Sequence, residues 1–166
     1  MKKTVIAALA IAALVGCASR PPAPTYKQFS SNAEAEYEPS LVDGNSEIVG
    51  QAFLAQKGGG TVKAAGRLVT IDPVTEVSRA WWYQAGKVWR YKSTVPPFPK
   101  FVSARRSTTA DADGRFKFSN IPAGSYYIRT EITWDVPFHG AQGGLVTGIV
   151  DVKAGESKQA IVNGAN

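Results

Sequence analysis

From Ser46 onward, apolar side chains recur at every second position in short runs, and glycine, proline or aspartate turns separate the runs. A period of two places successive side chains on opposite faces of an extended chain, whereas a helical bundle needs a period near 3.6. Ser46 to Leu54 sets Ile48, Gly50, Ala52 and Leu54 against Val49, Gln51 and Phe53, ahead of the Gly58-Gly59-Gly60 turn. Gly66 to Pro73 repeats the pattern through Val69 and Ile71. Asp111-Ala-Asp113-Gly114 is a turn signal before Arg115-Phe116-Lys117-Phe118, and Asn120-Ile-Pro122-Ala-Gly124 is another before Ser125 to Trp134. Leu145 to Val152 follows Gly143-Gly144, and a short strand through Ile161 and Val162 closes the series. Six or seven short strands joined by turns predict an all-β, antiparallel sandwich whose inner faces share one core, with helix nearly absent. Sixteen glycines and ten prolines without a fixed period agree, and 166 residues with 44% hydrophobic content suffice for one ordinary domain.

The first 16 residues read differently. Lys2 and Lys3 precede an apolar run from Val5 to Leu14 and small residues before Cys17, the single cysteine. Ten apolar residues are too few to cross a hydrocarbon core that requires about 20. Leu14-Val15-Gly16-Cys17 resembles the lipobox of bacterial lipoproteins. The resemblance implies a signal peptide over 1–16, cleavage between Gly16 and Cys17, and lipidation, typically including palmitate, on Cys17. Two or three acyl chains would anchor the protein durably, at about 0.8 kcal/mol per buried methylene. Acylation would also leave no thiol for catalysis or a disulfide. Ala18 stands where enterobacterial lipoproteins retained in the inner membrane resemble one another in carrying aspartate, so the expected address is the outer membrane.

Residues 17–46 are rich in proline, serine, alanine and glutamate, carry Arg20-Pro21-Pro22-Ala23-Pro24 near their start, and lack a sustained apolar period. The expectation is a lipidated tether of roughly 30 residues, averaging about 30 Å as a flexible coil. A second use of such a segment is as an extended docking peptide, with Tyr26 and Phe29 as anchors.

The order Thr109-Ala-Asp111-Ala-Asp113-Gly114-Arg115-Phe116-Lys117-Phe118, then Ile121-Pro122-Ala123-Gly124-Ser125-Tyr126, resembles the carboxypeptidase regulatory-like, or transthyretin-like, domains. Ile48-Val49-Gly50 and Ala65-Gly66 through Ile71 are similar to that family's opening strands, so the likeness spans Glu47 to about Val162. It implies one seven-strand sandwich over 47–166 and a non-catalytic role in stability, adhesion or assembly. Two connections depart from the family pattern. One is an aromatic-rich insertion at about 75–107, and the other, Asp135 to Gly144, carries the sole histidine, His139.

The inventory of reactive groups argues against an enzyme and against a cofactor. His139 lies in a glycine-rich loop and no Gly-x-Ser-x-Gly elbow supplies a nucleophile. A catalytic zinc wants three protein ligands, and one histidine without a free thiol is a poor source of them. Asp111 and Asp113 resemble the start of a calcium loop, but Pro122 stands where the bidentate glutamate belongs, so turn chemistry explains them and no metal is expected. The formal charge is +6; removing Lys2 and Lys3 with the leader leaves 17 basic against 13 acidic residues. Those basic residues are dispersed, with Arg105-Arg106 the densest pair, which argues against nucleic-acid binding.

The aromatic insertion holds Trp81-Trp82-Tyr83, Trp89-Arg90-Tyr91 and Val95-Pro96-Pro97-Phe98-Pro99. Read as a strand, it places Trp81 and Tyr83 on one face and Trp82 on the other, so that some rings cap the core and others face a partner. Tryptophan, tyrosine and arginine are the usual interface anchors, which nominates Trp81, Trp82, Trp89, Arg90, Tyr91 and Phe98 as a partner-binding surface. The leading expectation is a structural or protein-interaction module of a cell-envelope assembly, such as a secretion or conjugation complex. The alternative is an envelope glycan-binding module. Rings that stack on sugar also need convergent carboxylates or amides, and Glu76 and Gln84 are the nearby candidates.

Overall fold

In a computed structural model, residues 26–88, 93–96 and 98–164 are described. The expected all-β sandwich is present, as two four-stranded sheets. In the first, β1 (Ser46–Ala55) runs antiparallel to β2 (Thr61–Lys63) and to β5 (Arg115–Ile121). It also runs parallel to β8 (Ser157–Val162). The second sheet has the order β4 (Arg106–Thr109), β3 (Leu68–Pro73), β6 (Gly124–Val136) and β7 (Gly140–Val152), antiparallel throughout. Among the described residues there are thus eight strands, one of them only three residues long, and one parallel pair beside the antiparallel ones.

The alternation read from the sequence is the reason for this packing. Ile48 and Ala52 of β1, Val69 and Ile71 of β3, Phe116 and Phe118 of β5, and Ile128 and Ile132 of β6 all point between the sheets and are buried. Each of the valine, isoleucine and phenylalanine side chains contributes about 1.5–3 kcal/mol when fully removed from water. Gly50 has to be glycine, because a Cβ there would come within 2.4 Å of Phe116 Cζ and 2.5 Å of Ala160 O. Its missing side chain is the space that the Phe116 ring occupies.

A second, smaller core covers the outer face of the second sheet. Asp72 of β3 and Tyr127 of β6 alternate away from the sandwich core and are nevertheless buried. The cover is the insertion together with the chain before β1. The insertion forms α1 (Glu76–Trp81), a π-helical turn (Trp82–Gly86) and α2 (Pro99–Ala104), where helix was expected to be nearly absent. Pro99 starts α2 at a position where its missing N–H costs nothing. Against these lies a segment ending in a 3-10 turn, Ala35–Ser40.

Ala33, Tyr37, Val77, Ala80, Val95, Phe101 and Ala104 close this core, with Phe29, Trp81 and Phe98 packed on its edge. Part of the stretch expected to be a tether is therefore folded. Phe29, Ala33 and Tyr37 are spaced by four, a single apolar stripe within an otherwise polar composition, and that stripe docks on the insertion. Lys100 pairs with Glu38 across the same seam.

Candidate functional site

Where β3 ends, α1 begins under a reciprocal cap. Thr75 Oγ1 accepts from Ser78 N at 3.1 Å, and Ser78 Oγ accepts from Thr75 N at 2.8 Å. The cap fixes the direction in which the helix leaves the sheet. With α1 continued by the π-helical turn, Glu76, Arg79 and Tyr83 lie at helical spacing on the outward side, and Trp82 turns inward. Trp82 is 1% exposed and stacks on Tyr127, with ring centroids 4.3 Å apart and planes 13° apart.

Trp81 is the second support. The guanidinium carbons of Arg105 and Arg129 lie 4.7 and 5.0 Å from its ring centroid, and Phe101 lies 5.5 Å away. Arg105 also bridges to Asp72, Nε to Oδ1 at 2.7 Å and Nη2 to Oδ2 at 3.1 Å. Burial pushes the Asp72 carboxyl above its ordinary range, while Arg105 pulls it back. Burial lowers Arg129, and the neighbouring Arg105 lowers it further. These rings and charges fasten the insertion to the sheet.

On the outside, a cleft of about 550 Å³ opens between α1 and the segment that precedes the sandwich. Tyr83, 62% exposed, stands at its edge, with Lys87 Nζ 4.6 Å from its ring centroid. Glu36 and Glu76 bring two carboxylates, Gln84 an amide, and Lys27 and Arg79 two cations. Most are held by hydrogen bonds. Glu36 Oε2 accepts from Glu76 N at 2.7 Å, and Glu76 Oε2 accepts from Ser30 Oγ at 2.6 Å. Gln84 Oε1 accepts from Thr94 N at 2.9 Å and Thr94 Oγ1 at 2.8 Å, and Lys27 N donates to Thr94 O at 3.1 Å. The cleft thus offers acceptors, donors and one open aromatic face in a volume typical of small-ligand sites.

The surface expected from the sequence is redistributed. Trp82 is interior, Trp81 is packed between arginines, and Phe98 is half-buried with its ring edge-on to Phe29 at 5.4 Å. The alternating-strand reading of 81–83 fails because the segment is helical: successive side chains turn by about 100° rather than 180°. Trp89, Arg90 and Tyr91 lie outside the described residues, as do Gly16 and Cys17. Glu76 and Gln84 do converge beside an exposed ring, as a sugar platform requires. Sequence reasoning missed Glu36, Lys27 and Arg79. The Thr75-x-x-Ser78 cap was the readable sign of a helix that would align Arg79 with Tyr83.

The two remaining sequence candidates also have places. Asp111 Oδ1 accepts from Asp113 N and Arg115 N, both at 2.8 Å, which is turn chemistry. Among the described residues no group of three His, Cys, Asp or Glu side chains is placed to hold a metal. His139 is exposed on the β6–β7 hairpin, at a separate cleft.

No protein-family model and no curated protein matches the chain. Among solved structures it is similar to a "putative carbohydrate binding protein" from Pseudomonas aeruginosa, with 26% identity and a TM-score of 0.68 over 83% of this chain and 99% of that one. A "putative carbohydrate binding protein" from Bacteroides uniformis aligns over 73% of this chain and 40% of its own length, at 12% identity and a TM-score of 0.32.

Proposed function

We propose that this chain is an exported, non-catalytic lipoprotein, anchored to the outer membrane through Cys17, whose folded domain binds carbohydrate in the cleft beside Tyr83. The observation that carries the reading is the convergence of an exposed phenol ring with two carboxylates, an amide and two cations. A pyranose presents a C–H face that packs on an aromatic ring and a rim of hydroxyls that both donate and accept. Tyr83 meets the first, and Glu36, Glu76, Gln84, Lys27 and Arg79 meet the second. The description of the Pseudomonas aeruginosa structure supports the same class of ligand. The assembly reading takes Trp81, Trp82, Trp89, Arg90, Tyr91 and Phe98 as surface anchors, of which Trp89, Arg90 and Tyr91 lie outside the described residues. Because Trp81, Trp82 and Phe98 pack against the fold, the carbohydrate reading takes precedence.

A glycan array probed with the full chain tests the function. Retention of a defined set of glycans, lost with Tyr83→Ala, is expected; retention of none would end the reading. Cys17→Ser separates the anchor from the domain. The variant is expected to leave the membrane fraction while keeping its melting temperature, and continued membrane association would remove the lipid from the account.

A further inference from the structure

The sandwich has a second cleft, which shares no lining residue with the first and differs from it in chemistry. In β6 the core-facing series Tyr126, Ile128, Thr130 and Ile132 continues by alternation to Trp134 and Val136, which lie beyond the buried core. Gln142 of β7 is the cross-strand partner of Trp134. From the other sheet, β1 runs into the turn Gln56–Gly60, closed by Gln56 N donating to Gly60 O at 3.0 Å. Between the turn and the hairpin lies a cleft of about 380 Å³, lined by Gln56 and Lys57 on one side and by Trp134, His139 and Gln142 on the other.

Two features of the hairpin prepare this cleft. Gly143 has φ +104, and a Cβ there would fall 2.1 Å from Ile132 O and 3.0 Å from Trp134 Cζ3, so the glycine makes room for the indole. Phe138 sits next to His139 at φ +64 with its side chain fully exposed. A bulky residue in the left-handed region costs on the order of 1–3 kcal/mol and persists only where the surrounding structure imposes it. The turn that imposes it is closed by His139 N donating to Val136 O at 3.0 Å, and Gln142 Nε2 donates to His139 O at 3.2 Å.

We propose that this second cleft binds an acidic saccharide, one bearing a carboxylate on its sugar ring. The Trp134 indole supplies the stacking face, Gln56 and Gln142 supply amides for ring hydroxyls, and Lys57 meets the carboxylate. No Asp or Glu lines the cleft, in contrast to the first, where Glu36 and Glu76 offset the charges of Lys27 and Arg79. The proposal shares a ligand class with the function above but none of its residues, so either can fail alone.

The test is an NMR titration of the full chain, following the indole N–H signals of its four tryptophans, with the Trp134 signal assigned by Trp134→Phe. The titrants are a galacturonic acid tetramer and a neutral glucose tetramer. The Trp134 signal is expected to move with the uronate and not with the neutral oligomer, and Lys57→Gln should weaken the uronate about tenfold, or about 1.4 kcal/mol. An unmoved Trp134 signal, equal responses to both oligomers, or unchanged affinity in Lys57→Gln would overturn the proposal. The same titration in Tyr83→Ala separates the clefts. A uronate response that persists belongs to the second cleft, and one that disappears belongs to the first and would overturn this assignment while leaving the carbohydrate function standing.

Discussion

The indole of Trp82 lies nearly flat on the ring of Tyr127, 4.3 Å between centroids, and this stack joins the aromatic insertion to the sandwich. It also sets the orientation of the next residue, because once Trp82 is committed inward the helical turn carries Tyr83 out to the cleft edge. Adjacent aromatic residues therefore have opposite placements, one in the core and one at the cleft edge.

Trp82→Ala removes a fully buried ring and its stack, and is expected to cost about 3–5 kcal/mol in denaturant unfolding. Tyr83→Ala, at an exposed position, is expected to stay within about 0.5 kcal/mol of the parent. Equal losses in the two variants would contradict the assignment of inside and outside.

Tyr37 tests whether the segment before β1 is part of the fold. Its ring is fully buried, and burial pushes its phenol up to about 12 against the lowering pull of the neighbouring Thr75 and Ser78. Tyr37→Phe deletes only the hydroxyl and is expected to change stability by no more than about 1 kcal/mol. Tyr37→Ala should cost about 3 kcal/mol by opening a cavity in the second core. In a simple spacer Tyr37→Ala would cost nothing measurable.

How much of this was legible in the sequence depends on the period of the signal. Strands such as Ser46–Ala55 and Gly124–Val136 are long enough for alternation to declare itself, and the turns at Asp111–Gly114 and Asn120–Gly124 mark their ends. Helix α1 is six residues long, a span over which Trp81-Trp82-Tyr83 fits a strand and a helix equally well. The burial of Tyr37 depends on partners such as Val77 and Phe101, distant in sequence, and composition alone reads its surroundings as linker. The cleft is likewise tertiary. Glu36 reaches the backbone N–H of Glu76 across 40 residues of chain, a pairing no local pattern announces.

Asp72 gives the fold a defined response to pH. Its carboxyl is fully buried, and desolvation raises it despite Arg105. A folded-state value above the unfolded one, about 3.9 for aspartate, means that its contribution is full below that value and is lost as pH rises through the raised one. Asp72→Asn removes this titration. The stability of the parent minus that of Asp72→Asn is therefore expected to fall as pH climbs from about 3 toward neutrality. A difference that grows with pH would show the Arg105 pairing outweighing burial.

The most direct test of the central claim is isothermal titration of the full chain with the glycan it retains most strongly, repeated with Tyr83→Ala. Saturable binding by the parent, weakened at least about tenfold in a variant that melts at the same temperature, is the predicted result. Equal affinity in the two proteins would contradict it, because the sugar would then bind away from the Tyr83 cleft.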